Sequence, residues 1–134
     1  MHIHDIFARH ATTLSFEFFP PKTPEGADDL FRNIAEFETL KPAFVSVTYG
    51  AGGTTREMTH DLVVRIHDAT ALDPIPHLTC VCHSESDIAE IVDRYARAGV
   101  SNILALGGDP PRGMEQYDRA KDSFRHAADL VRFI

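Results

Sequence analysis

Residues 15–19 read Ser-Phe-Glu-Phe-Phe and run into Pro20-Pro21. Side chains alternate along an extended run, so Phe16 and Phe18 share one face while Ser15, Glu17 and Phe19 share the other. An acid on one face of an otherwise apolar strand implies that only the opposite face is packed under helices. Three further runs repeat the pattern: FVSVTY (44–49), IPHLTC (75–80) and NILALG (102–107). Their starts lie 29, 31 and 27 residues apart. That spacing leaves room for one helix between each pair of strands.

The intervening segments carry helical periodicity. The first has Leu30, Phe31, Ile34, Phe37 and Leu40 on one side, with Pro42 beyond its end. The second uses Met58, Leu62, Val63 and Ile66, and the third Ile88, Ile91, Val92, Tyr95 and Ala96. Ser84 and Asp87 form a capping-box pattern before the third helix, and Gly99 is placed to end it. A fourth stripe runs through Phe124, Ala127, Ala128, Val131 and Ile134. The order βαβαβαβα predicts parallel strands joined by right-handed crossovers. A doubly wound sheet and a (β/α)8 barrel both satisfy it.

Parity favours the barrel. Val45, Val47 and Tyr49 oppose Phe44, Ser46 and Thr48; His77 and Thr79 oppose Leu78 and Cys80; Leu104 and Leu106 oppose Ile103, Ala105 and Gly107, whose parity Asp109 continues. One face is expected to be apolar, and the other to end in Glu17, Thr48, His77 and Asp109. These four lie near the C-terminal ends of their strands, where parallel α/β proteins build their sites. A doubly wound sheet is covered on both faces and its strands are more uniformly apolar. The expected fold is therefore an α/β (β/α)8 TIM barrel of which residues 1–134, as one domain, supply about the first four βα units. Since such a barrel needs about 250 residues, a complementary C-terminal half is expected beyond residue 134.

Composition narrows the function. The 134 residues carry a net charge of −7 and no basic stripe, which argues against nucleic-acid binding. No apolar run approaches the ~20 residues of a membrane span and no cleavable leader is evident, so a cytoplasmic protein is expected. Cys80 and Cys82 are too close together to staple distant segments. His77, Cys80, Cys82 and His83 form a loose metal-like cluster, but strand parity turns His77 away from both cysteines, and no metal is expected. Gly50-Ala51-Gly52-Gly53-Thr54-Thr55 follows a strand and opens a helix; it suits either a phosphate cradle or a tight turn needing positive φ. It matches neither the GxGxxG nor the P-loop signature. Glu17, beside Phe19 and Pro20, is expected to be partly desolvated, an environment that suits a carboxyl group to proton donation. His2 and His4 read as part of a mobile N-terminal segment, residues 1–13.

The motifs SFEFFPPKT, LKPAFVSVTYGAGG, PHLTC and ILALGGDPP, in this order, resemble the N-terminal half of the methylenetetrahydrofolate reductase catalytic barrel. The resemblance implies an oxidoreductase of one-carbon metabolism and methionine biosynthesis. It implies FAD as cofactor, NADH or NADPH as co-substrate, 5,10-methylenetetrahydrofolate as substrate, and a homo-oligomer at full length. It implies Glu17 as the general acid that protonates the folate nitrogen and opens the five-membered ring before hydride arrives from the flavin. Asp109 would hold the pterin close to the flavin. Thr48, Tyr49 and Ala51 would line the flavin and nicotinamide region, His77 and Gly108 would contact the cofactor, and His126 and Ala127 would touch FAD. Two positions depart from the family pattern: Gly107 stands where arginine is usual, and His126 where tyrosine is frequent. The competing readings are a non-catalytic half-barrel that binds a partner half or a ligand, and another FAD barrel such as a proline dehydrogenase. The acid of FEFFPP and the aspartate of GGDPP speak against the latter. With four strands and open edges, the chain alone is expected neither to hold FAD well nor to turn over.

Overall fold

The computed structural model describes residues 1–111, 113 and 116–134. Helix α1 (Ile3–Arg9) leads into β1 (Ser15–Phe18), α2 (Pro24–Glu38), β2 (Phe44–Val47), α3 (Arg56–Ala69), β3 (Pro74–Thr79), α4 (Glu85–Arg97), β4 (Leu104–Leu106) and α5 (Ala127–Phe133). Short 3-10 turns occupy Ala51–Gly53 and Arg119–Lys121. The four strands form one parallel sheet in the order β1-β2-β3-β4. A doubly wound sheet must reverse its strand order at a switch point. Sequential order throughout is the barrel progression.

Local chemistry explains the helix limits. Thr23 accepts from the Gly26 amide and Pro24 stands in the first turn of α2, where its missing N–H is harmless. The capping box is present at α4: Ser84 accepts from the Asp87 amide, and the Asp87 carboxylate accepts from the Ser84 amide. Gly99, at φ +80°, ends that helix; its amide bonds to Ala96 and the Val100 amide to Tyr95. This is a Schellman closure.

The core lies between the helices and one face of the sheet. Phe18, Val45, Val47, Leu78 and Cys80 pack with Ile34, Val63, Ile66, Ile88, Tyr95 and Leu130 in one cluster. Strand β3 is buried along its whole length. Several stripe residues fall outside this core. Leu40 lies beyond the end of α2 and is exposed, and Met58 is also exposed, the buried place in that turn being taken by Thr59. Helix α5 starts later than the periodicity implied: Phe124 is buried ahead of it and Leu130 is its one fully buried residue, whereas Ala128, Val131 and Ile134 face out.

The N-terminal segment is not a tail. Helix α1 buries Ile6 and sets Phe7 edge-on to Phe44 at a ring distance of 6.2 Å. Asn102, just before β4, pins it twice: Oδ1 accepts from the Ile3 amide at 2.8 Å and Nδ2 donates to the Met1 carbonyl at 2.6 Å. The terminal ammonium pairs with Asp73 at 2.7 Å. Helix α1 therefore sits at the N-terminal end of the sheet, opposite the expected site. Asn102 is 8% exposed, so Asn102→Ala is expected to cost about 1–3 kcal/mol. Hydrogen exchange should then speed up selectively at residues 3–9. Among the described residues, no helix is long and apolar enough to cross a membrane.

Candidate functional site

In the parallel register Glu17 stands beside Ser46, Ser46 beside Ile75, His77 beside Leu104 and Thr79 beside Leu106. These residues face away from the helices. Glu17 and His77 belong to strands separated by β2, yet Glu17 Oε2 lies 3.4 Å from His77 Nε2. Ser46, the residue between them, is short enough to let them meet. The approach is not a hydrogen bond: Nε2 is buried and has no hydrogen-bond partner among the described residues. Desolvation holds the His77 imidazole below its usual range, against the raising effect of Glu17, so the ring is neutral near pH 7. Thr79 Oγ1, two residues on and on the same face, is likewise buried and unpartnered.

The Glu17 environment differs from the expectation. Its side chain is half exposed and Phe19 is 69% exposed, so neither that ring nor Pro20 shields the carboxylate. A cleft of about 510 Å3 runs along the edge of β1 against α2, lined by Phe16, Phe18, Leu30 and Phe37 together with Glu17 and Pro20. Asp109 also needs correction. Its parity is that of Ile103 and Ala105, which pack against the helix-side core, not that of Glu17 and His77. Parity in any case stops at Leu106, because Gly108 adopts φ +77° and redirects the chain. Asp109 is exposed in the loop that follows.

Gly108 is fixed by contact as well as by conformation. A Cβ there would lie 2.7 Å from Thr79 Cβ, so backbone alone fits beside β3. Over the neighbouring Gly107, a Cβ would lie 3.3 Å from Arg119 Nη1, and Arg119 Nη2 donates to the Gly108 carbonyl. Tyr117 ties the same segment to the β3–α4 loop: its hydroxyl accepts from the Cys82 amide at 3.1 Å and donates to Asp122.

The glycine loop after β2 behaves as a turn. The Gly53 amide bonds to Gly50 and the Thr54 amide to Ala51, while the Gly50 amide donates to Thr55 Oγ1. Those amides are engaged internally and cannot cradle a phosphate. Hydroxyls continue the line with fixed polarity: Thr59 donates to the Thr48 carbonyl at 3.0 Å, which leaves Thr55 to donate to Thr59. Thr48 thus has its backbone anchored by α3, and Ala51 is half-buried in the turn. A Cβ on Gly52 would run into the Pro111 ring, so the loops after β2 and β4 meet above β3.

Tyr49 points toward the helix side, where its hydroxyl meets His83 Nε2 at 3.0 Å. His83 Nδ1 lies 2.8 Å from the Val81 carbonyl and must donate to it, so Nε2 is bare and accepts from Tyr49. Burial raises the Tyr49 phenol above its usual range and lowers the His83 imidazole. His77 and His83 are both held below the ordinary histidine value of 6.5. The unfolded chain therefore takes up protons that the native state refuses. Stability is intact above 6.5 and falls as pH drops below it. Urea unfolding midpoints should fall between about pH 7.5 and pH 5.5, and less steeply in His83→Gln, whose amide can donate and accept without titrating. Equal slopes in the two proteins would contradict this reading of His83.

His126 caps α5 and is exposed; its amide donates to Asp129 at 3.0 Å, and Ala127 begins the helix. The structure brings Glu17, His77 and Thr79 together, with Gly108 against Thr79. It does not bring Tyr49 or His126 into contact with them. Cys80 is buried on the helix side and Cys82 is exposed, so neither joins His77.

A family model for methylenetetrahydrofolate reductase matches residues 2–134. The chain belongs to the methylenetetrahydrofolate reductase family. It is 42% identical over 118 residues to the 5,10-methylenetetrahydrofolate reductase of Pectobacterium carotovorum, covering 88% of this chain and 38% of that protein. The corresponding Escherichia coli protein is 41% identical over the same length and shares. The methylenetetrahydrofolate reductase (NADH) 1 of Arabidopsis thaliana is 34% identical over 132 residues, 98% of this chain and 22% of the relative. The chain thus spans well under half the length of these relatives. Within this reductase-family chain, strand pattern and motif led to Glu17 and His77. Thr79 was legible only as a residue sharing the His77 face, and Arg119 and Tyr117 lie in a stretch without periodic signal.

Proposed function

We propose that the intact protein reduces 5,10-methylenetetrahydrofolate to 5-methyltetrahydrofolate with NADH or NADPH, and that this chain supplies the first four βα units of the catalytic barrel. The observation that carries the reading is the Glu17 carboxylate 3.4 Å from a neutral, unpartnered His77 at the C-terminal mouth, in a chain of this family. The mouth fits a flavin: His77 Nε2 and Thr79 Oγ1 are buried polar atoms with unused hydrogen-bonding capacity, and Gly108 offers backbone where a side chain would collide. FAD, when bound, would supply hydride transfer from the nicotinamide to the folate.

His77, Thr48 and Gly108 would hold the cofactor, with Ala51, Tyr49, His126 and Ala127 contributing at the periphery, and Asp109 would bind the pterin from its exposed loop. A pterin seated against Glu17 displaces water from the mouth, and the carboxyl group then hands its proton directly to the ring nitrogen. His77, uncharged, lies beside that carboxyl without a hydrogen bond to it.

The test is anaerobic. Intact protein should purify with a visible flavin spectrum that bleaches on addition of NADH or NADPH. Protein that neither retains added FAD nor bleaches would exclude the proposal.

A further inference from the structure

Strand β2 leaves the sheet through Thr48, Tyr49 and Gly50. The Thr48 amide still donates to the Phe18 carbonyl of β1 at 2.9 Å. The Thr48 carbonyl turns to α3 instead of the next strand and accepts from Thr59 Oγ1 at 3.0 Å. The Gly50 amide donates to Thr55 Oγ1 at 2.7 Å, and Thr55 Oγ1 lies 3.0 Å from Thr59 Oγ1. Two hydroxyls one helical turn apart thus clamp both ends of the Thr48–Gly50 tripeptide. Each departs from its local preference. Thr55 stands at the N-cap of α3, where a threonine ordinarily accepts from a first-turn amide, yet its side chain makes no capping bond. Thr59 is fully buried on the face that also buries Leu62, Val63 and Ile66, where a hydroxyl is costly unless it is bonded. Gly50 admits the clamp, since a Cβ there would lie 2.8 Å from Thr55 Cγ2. Departures from local rules of this kind concentrate at functional sites.

We infer that Thr59, together with Thr55, is a positioning residue: it fixes the Thr48 backbone so that the Thr48 hydroxyl is held in place for a cofactor at the mouth. This rests on the proposed function, in which Thr48 helps to hold FAD. Thr48 shares strand parity with Ser46, which stands beside Glu17 in the register. Its neighbour Tyr49 is fixed separately on the helix side, by its hydroxyl on His83 Nε2. Thr59 is buried beneath the strand end and acts through Thr48. Pinning the backbone on both sides of a binding side chain removes freedom before the ligand arrives, and such preorganisation raises affinity without a new contact.

The probe is FAD, removed from the intact protein and titrated back, with quenching of flavin fluorescence giving Kd. Thr59→Val should weaken binding about tenfold, and Thr59→Ser, which keeps the hydroxyl, by less than about threefold. Thr48→Val should weaken it too. Adding Thr59→Val to Thr48→Val should cost nothing more in affinity, because the group through which Thr59 acts is gone. A purely structural hydroxyl would lower the urea midpoint in both backgrounds and leave the losses in affinity additive. Additive losses, or an unchanged Kd in Thr59→Val, would overturn the inference and leave the reductase reading intact. Should Thr59→Val not fold, Thr55→Ala takes its place, with a weakening of about threefold that is again absent in the Thr48→Val background. A wild type that binds no FAD would exclude the proposed function and the clamp with it. FAD bound with this coupling but not reduced by NADH or NADPH would leave the clamp standing and remove the reductase reading.

Discussion

Glu17→Gln in the intact protein should leave flavin reduction by the nicotinamide within a few-fold of wild type and slow reoxidation by methylenetetrahydrofolate about a hundred- to ten-thousand-fold. The asymmetry follows from chemistry. Hydride transfer to the flavin consumes no proton from Glu17, whereas opening the folate ring requires one at nitrogen. Glutamine keeps the shape of the side chain beside His77, whose Nε2 lies 3.4 Å from Glu17 Oε2. It cannot deliver a proton. Rapid-reaction measurement of the two half-reactions separates the steps, and equal slowing of both would mean that Glu17 serves cofactor binding.

Gly108→Ala carries the largest expected effect on stability. At φ +77° an L side chain is strained, at about 1–2 kcal/mol. The new Cβ would also sit 2.7 Å from Thr79 Cβ, in backbone-proximal atoms that no rotamer change can move. Overpacking of this kind costs about 1–3 kcal/mol more, so a total loss of about 2–5 kcal/mol is expected from a domain stable by about 5–15 kcal/mol. Gly113 provides the control: its φ is +85° but a Cβ there meets nothing within 4 Å. Gly113→Ala should therefore show the conformational cost alone. Urea midpoints for the two variants should differ, and coincidence would mean that the Thr79 contact relaxes without cost.

Strand positions were legible because Phe16/Phe18, Val45/Val47 and Leu78/Cys80 alternate strictly with Glu17, Ser46 and His77. Parity found the Glu17–His77 pair because both lie inside regular strand, where alternation is enforced by the pleat. It failed at Asp109 because Leu104 and Leu106 share the His77 face while Ile103 and Ala105, whose parity Asp109 continues, pack on the helix side, and Gly108 then ends the alternation with a left-handed residue. Helix α1 escaped notice because seven residues make a marginal helix on their own; Ile3 and Ile6 are held by Asn102 and the sheet end, contacts from the far end of the chain. The phase of α5 was misread because Phe124 is buried from the preceding loop rather than from the helix. Arg119 reaches Gly108 across a non-periodic segment, a contact set by tertiary folding that no local pattern encodes. The resemblance to the family, in contrast, was legible in four motifs in order, and the family model over residues 2–134 shows the membership.

On the proposed function, Glu17, His77, Thr79 and Gly108 form the mouth of a folate-reducing flavin barrel. The direct measurement is single-turnover reoxidation of the reduced intact protein by 5,10-methylenetetrahydrofolate under anaerobic conditions. Return of the oxidised flavin spectrum with stoichiometric formation of 5-methyltetrahydrofolate is the expected result; a flavin that stays reduced in the presence of saturating folate would contradict the account.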